Sequence, residues 1–248
     1  MPQIQSVLTL QKQIGETPLE CIKRFQATKP EYKDVPMTYA GRLDPMAEGL
    51  LLVLAGEECK QKEKYLCLDK EYIVEILFGF ATDSYDILGK VADSLGGSTS
   101  KQLPRLNLQT ALNAFVGKFV QKYPKYSSKN IKKVLLSTMV GNSTFSKNVE
   151  IYSIKFLGQR KIGAKKLLST IEERVSKVNG DFRQKLILAL WHKNLKGGKN
   201  KYQVVKIKVK CSAGTYMRSL AHNLGKKLGV PALAFSIKRT KIHKDGSI

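Results

Sequence analysis

Within Tyr202 to Cys211, Val205, Ile207 and Val209 alternate with Lys206, Lys208 and Lys210. That period of two describes a half-buried strand with one basic face. Just beyond it, Tyr216, Leu220, Leu224 and Leu228 recur every four residues, a helical spacing that Gly229 and Pro231 close. The same mixture runs through the chain. Thr17-Pro18-Leu19-Glu20 is a capping box with proline at the first helical position. It predicts a helix over 18–28 with Leu19, Ile22 and Phe25 on one face. Strands are predicted for Leu50 to Ala55, for Tyr72 to Phe80 with Tyr72, Val74, Ile76 and Phe78 on one face, and for Ile151 to Leu157. Helices are predicted over Leu108 to Val116, 164–178 and 181–193, with loops over 93–105 and Leu195 to Lys201. Strands and helices intermix without regular β-α alternation. The expected fold class is therefore α+β with a largely antiparallel sheet. No internal repeat and no Pro- or Ser-rich linker divides the 248 residues, so one domain is expected.

Charge narrows the functions open to such a chain. Lys and Arg total 43 against 20 Asp and Glu, a formal net charge of +23. Self-repulsion of that size calls for a polyanion, and the cations are spread along the whole length. A broad nucleic-acid footprint is expected. No run approaches the roughly 20 apolar residues of a membrane helix, and the N-terminus has no secretory pattern. Cys21, Cys59, Cys67 and Cys211 form no Cys-x-x-Cys pair, and His192, His222 and His243 are scattered, so no zinc spacing appears. Few cysteines without a framework point to a reducing compartment. A cytoplasmic chain is expected, with an organellar matrix left open.

Most chemical motifs fail. Gly158 to Lys165 imitates a phosphate loop but lacks its Gly-Lys-Ser/Thr ending. No Gly-x-Gly-x-x-Gly opens a helix, and no serine elbow or paired Cys and His is present. What remains is Gly41-Arg42-Leu43-Asp44-Pro45-Met46-Ala47-Glu48-Gly49. Proline stiffens the turn beside the carboxylate, and the glycines let the backbone bend or approach a ligand. On this string alone a solvated turn residue is the simpler account of Asp44. Three further segments accompany it: Lys70-Glu71-Tyr72, Ala81 to Gly89, and Cys211-Ser212-Ala213-Gly214-Thr215-Tyr216-Met217-Arg218-Ser219-Leu220.

Together these segments closely resemble the TruB family of RNA pseudouridine synthases. Gly41 to Gly49 meets its Gly-x-Leu-Asp-Pro-x-Ala-x-Gly core, Lys70 and Tyr72 its Lys-x-Tyr element, and Cys211 to Leu220 its third motif. Val7 to Phe25, Phe115 to Ser127 and Lys238-Arg239-Thr240 also fit, in the family's order. The resemblance implies a pseudouridine synthase fold, a largely antiparallel mixed sheet flanked by helices and loops around an active-site cleft. It implies isomerisation of uridine to pseudouridine in RNA without a cofactor, at position 55 in the T-arm loop of tRNA, by a monomer acting on a flipped-out base. Asp44 would be the nucleophile or electrostatic partner, Arg218 its guanidinium partner and Tyr72 the residue stacked on the uracil. Tyr39, Arg42, Lys70, Asp86, Tyr126, Lys129, Tyr216 and Arg239 would contact the RNA. Bland readings stand beside these: a helix-surface arginine, a core tyrosine, a turn aspartate at Asp86.

This chain also departs from the family pattern. Tyr39 stands where a histidine wedges into the RNA loop, and a tyrosine could stack there instead. Lys132 to Leu136 replaces a Gly-Lys-Pro-Leu-Tyr-like stretch, so the RNA clamp of about 124–150 is expected to be rebuilt. Residues 161–200 are expected to add helices, and the few residues after Thr240 leave no place for a PUA domain. Two other readings remain: a non-catalytic RNA-binding or ribosome-assembly factor on the same fold, and an RNA-guided synthase.

Overall fold

The structure, a computed structural model, describes residues 4–95, 105–126, 130–131, 134–135 and 146–243. Its elements run β1 (Val7–Lys12), α1 (Pro18–Thr28), β2 (Met37–Ala40), β3 (Ala47–Ala55), α2 (Lys62–Leu66), β4 (Lys70–Phe78), β5 (Phe80–Thr82) and β6 (Val91–Ser94). There follow α3 (Arg105–Asn113), β7 (Gly117–Lys122), the two-residue strands β8 (Asn130–Ile131) and β9 (Val134–Leu135), β10 (Ser146–Gly163), α4 (Ala164–Ser176) and α5 (Gln184–Leu195). The last three are β11 (Lys201–Cys211), α6 (Met217–Leu228) and β12 (Ala232–Ile242).

Eight strands form one sheet in the order β1-β3-β12-β4-β11-β10-β7, with β2 paired to β3. Every pairing is antiparallel except β12 with β3. The sheet is therefore largely antiparallel and mixed, as expected. Its strands carry the predicted alternation. Tyr72, Val74, Ile76 and Phe78 of β4 and Val205, Ile207 and Val209 of β11 share one core with Leu108 and Leu112 of α3 and Leu220, Ala221 and Leu224 of α6. A second core joins Leu77, Val204, Leu233 and Phe235 to Leu167, Ile171 and Val175 of α4 and Ile187 and Trp191 of α5. Among the described residues no helix is long and apolar enough to cross a membrane.

Several boundaries differ from expectation. In α1 the buried face is Pro18, Cys21 and Ile22, while Leu19 is 53% exposed. The apolar stripe is rotated by one residue because Cys21 and Ile22 pack on Leu51 and Val53. Strand β10 runs 18 residues where only Ile151 to Leu157 was predicted, because its polar ends pair with β7 and β11 rather than bury. Gly158 to Lys165, the imitation phosphate loop, is the end of that strand and the first two residues of α4, with Gly158 paired opposite Lys206 and Gly163 opposite Lys201. Residues 93 and 94 belong to β6 rather than to a loop, paired with β5. Most of the expected loop, 96–104, and much of the expected RNA clamp, including Lys129, lie outside the described residues. Helix α5 starts at Gln184, three residues later than predicted. Asp181 to Arg183 turn instead, with Arg183 left-handed at φ 65 and its N–H bonded to Asp181 Oδ1 at 3.0 Å.

Candidate active site

Asp44 sits on the loop between β2 and β3, in a turn closed by Ala47 N–H donating to Asp44 O at 2.9 Å. Two buried cations fix that turn from outside. Lys12, 2% exposed at the end of β1, donates from Nζ to Ala47 O at 2.6 Å and Pro45 O at 3.4 Å. Burial pushes its ammonium down to about 8. Arg239, 1% exposed on β12, donates from Nε to Leu50 O at 2.6 Å and from Nη2 to Gly41 O at 2.9 Å. Gly49 lets β3 run against that strand. Its φ is +105, and a Cβ there would stand 2.3 Å from Arg239 O.

The carboxylate itself is held by Arg218, on the first turn of α6. Arg218 Nε donates to Asp44 Oδ2 at 2.8 Å, Nη1 to Ser84 O at 2.8 Å and Nη2 to Tyr126 O at 3.2 Å. The guanidinium is buried, and Asp86 Oδ2 stands 3.7 Å from the same Nε. Burial opposes the arginine's charge, but Asp44 and Asp86 more than offset it and its pKa is raised. Asp86 is buried, and burial raises its carboxyl against the pull of Arg218. Its Oδ1 accepts from Ser84 Oγ at 2.6 Å and Leu88 N at 3.0 Å. Fixed acceptors at Nε, Nη1 and Nη2 leave the guanidinium one orientation.

In front of Asp44 opens a cleft of about 670 Å³. The Asp44 side chain is 26% exposed there. The walls are the loop at Gly41 and Arg42, helix α2 with Lys62, strand β4 with Lys70 and Tyr72, and the turn from Ala213 to Met217. Tyr72 is nearly buried, and burial raises its phenol. Lys70 is 4% exposed, donates to Leu66 O and Leu68 O, and is pushed down to about 8 by burial, with Arg239 adding to the effect. Tyr39 lies at the rim under Lys62, whose Nζ is 5.1 Å from the ring centre. The site thus combines one oriented carboxylate, one aromatic wall and several cations, in a space sized for a nucleoside.

Residues 29–178 match the family described as TruB family pseudouridylate synthase (N terminal domain). The chain belongs to the TruB family. It is 27% identical over 240 residues to the tRNA pseudouridine synthase B of Borreliella afzelii, covering 95% of this chain and 68% of that protein. It is 27% identical over 239 residues to that of Aquifex aeolicus, covering 96% of this chain and 69% of that one. A solved Cbf5–Nop10–Gar1 complex contains a chain that superposes with a TM-score of 0.57 at 19% identity, over 96% of this chain. The present chain spans about half of that chain, 48%.

The TruB motifs thus converge on one cleft, but their members are not equivalent. Asp44, Tyr72, Tyr39, Arg42, Lys70, Tyr216 and Arg239 all line it. Arg218 and Asp86 are buried next to Asp44 and do not line the cleft. Tyr126 reaches the site through its carbonyl on Arg218. The basic face expected of β11 is partly engaged within the protein. Lys208 Nζ pairs with Glu71 Oε2 at 2.6 Å, and Lys210 Nζ lies 6.0 Å from the Tyr152 ring centre. Sequence reasoning missed Lys12. It reads as a strand-end lysine, and its partners lie 33 and 35 residues away.

Proposed function

We propose that the chain isomerises uridine to pseudouridine in tRNA, at position 55 of the T-arm loop, with Asp44 as the reacting carboxylate. The observation that carries this reading is Asp44 itself: a carboxylate open to a nucleoside-sized cleft, gripped by a buried guanidinium. As the bond from C1′ to N1 breaks, the sugar becomes oxocarbenium-like. A fixed carboxylate stabilises that charge or attacks C1′ to give a glycosyl ester. The uracil then turns, C5 bonds to C1′ and the carboxylate is released. The C5 proton is lost and N1 gains one, so atoms and electrons balance without a cofactor. Tyr72 offers a phenol that burial keeps protonated. It can stack on the base, and it can pass a proton from C5 only by handing its own onward. Arg218 keeps the Asp44 carboxylate aimed throughout.

The target base must leave its stack, at a cost of a few kcal/mol that an already unstacked loop lowers. Tyr39, which lines the cleft beneath Lys62, would fill the gap in the RNA. Replacing it by alanine should slow product formation where replacement by histidine does not; equal rates for Tyr39→Ala and wild type remove that role.

The test is direct. Unmodified tRNA transcript is incubated with the chain alone and pseudouridine is mapped by base. Product at one T-loop position is expected, with a loss of about 10³-fold or more in Asp44→Asn. Tight binding without product would make the chain an RNA-binding factor. Product only after a guide RNA is added would make it a guided enzyme.

A further inference from the structure

Both carbonyls that orient Arg218 belong to segments held by one residue of another element. Ser84 O lies in the turn after β5, and Tyr126 O lies beyond β7. Arg183, from the turn that opens α5, reaches both. Its Nη1 donates to Asp83 Oδ2 at 2.9 Å and to Tyr126 Oη at 2.9 Å. Its guanidinium lies 4.4 Å from the Tyr126 ring centre. Tyr126 Oη donates in turn to Asp83 Oδ2 at 3.1 Å. The three side chains close a triangle, and the carbonyls of residue 126 and of the neighbour of Asp83 rest on Arg218.

The backbone marks the same place. Among the described residues only two non-glycines have positive φ, Arg183 at 65 and Tyr85 at 64. Tyr85 sits between Ser84 and Asp86, and Arg183 is the brace itself. Left-handed backbone at a non-glycine is unfavourable and gathers where geometry is over-determined. Nor does α5 need Arg183 to dock. Ile187, Trp191 and Leu195 are buried, Trp191 Nε1 donates to Ile87 O at 3.1 Å, and Gln184 Nε2 donates to Val178 O and Gly180 O.

We propose that Arg183 is a positioning residue for the reaction: it ties the Asp83 turn to the Tyr126 segment and so fixes the two carbonyls that aim Arg218 at Asp44. The helical pair between β10 and β11 thereby takes part in the chemistry without touching substrate. This proposal rests on the isomerase reading above, and its test separates the two.

Arg183→Met and Arg183→Lys are compared with wild type in the full chain. Three quantities are measured: the single-turnover rate on tRNA transcript at saturating protein, the Kd for that transcript, and hydrogen exchange of the Arg218 Nε–H by NMR. Arg183→Met is expected to lower the rate by about 10- to 100-fold, as small misplacements at a reacting group do. Its Kd should stay within about twofold, because few phosphate contacts would be lost. Arg218 Nε–H exchange should quicken. Arg183→Lys, which keeps the charge but loses the planar stack, should fall between. An unchanged rate, a rate loss accounted for by weaker binding, or unchanged Arg218 exchange overturns the proposal. If Arg183→Met does not fold, Tyr126→Phe removes the same hydroxyl link and is judged by the same measurements. If wild type makes no pseudouridine but Arg218 exchange still quickens in the variant, the brace stands and the isomerase reading falls.

Discussion

At the residue scale, the Asp44 carboxylate is placed in large part by Lys12, Gly49 and Arg218, which do not line the cleft. Gly49 is the sharpest case, because it has both a left-handed φ and backbone at 2.3 Å from any added Cβ. Backbone cannot swing aside as a side-chain tip can. Gly49→Ala should therefore cost roughly 2–5 kcal/mol, combining a strained φ with overpacking. A urea midpoint within error of wild type would refute this. Lys12→Met should cost about 1–3 kcal/mol, since it takes the ammonium from the buried carbonyl of Ala47, while Pro45 O keeps the Gly15 N–H at 2.9 Å. Its urea unfolding free energy measures that, and an unchanged value would mean water replaces the ammonium. Asp44, Tyr72 and Arg218 were legible in the sequence because each sits in a short motif with fixed neighbours. Lys12, and Arg183 at the head of α5, were not. Their meaning comes from partners tens of residues away, which no local spacing encodes.

Elements are legible where one face is apolar and the end carries its own signal. Helix α1 shows this at its start. Glu20 N–H donates to Thr17 Oγ1 at 3.2 Å, and Thr17 N–H donates to Glu20 Oε2 at 2.7 Å. The same carboxylate's Oε1 accepts from Asn179 at 3.0 Å, so the cap also ties α1 to the segment after α4. Thr17→Ala should lower stability by about 1 kcal/mol, the usual worth of such a cap. Thermal or urea unfolding would read it, and a loss above about 3 kcal/mol would mean the threonine does more than cap. The face of α1 was harder to predict than its ends, because Leu19 and Cys21 compete for the inside and the neighbour, β3, decides. Strand β10 was under-predicted for a related reason. Its outer residues are polar and half-exposed, so they carry no alternation, and only backbone pairing with β7 and β11 makes them strand. The start of α5 was misplaced because Arg183 is aimed at Asp83 and Tyr126, a long-range demand that overrides local helix preference.

For the whole molecule, a net charge of +23 should govern RNA affinity. Log K against log salt should fall with a slope of about −0.7 to −0.9 per phosphate contacted. A footprint spread over the chain should give several such contacts, and a slope worth only one would limit RNA binding to the cleft. The buried lysines set a separate pH dependence. Lys12 and Lys70 are both pushed down to about 8 by burial, whereas an unfolded lysine titrates near 10.4. Below pH 8 both states hold the protons, and the cost of burying the charge is constant. Between about 8 and 10.4 the unfolded chain binds more protons, so this part of the stability rises with pH. Each lysine contributes a slope of up to about 1.4 kcal/mol per pH unit. Relief of surface repulsion acts in the same direction, so the variant matters: Lys70→Met should remove up to about half of the part due to these two lysines. Urea unfolding at pH 7, 8 and 9 reads both. A wild-type midpoint that falls from pH 8 to 9, or a rise that Lys70→Met leaves intact, would mean that Lys70 holds its proton in the fold as firmly as in the unfolded chain and that its place beside Gly41 does not penalise the charge.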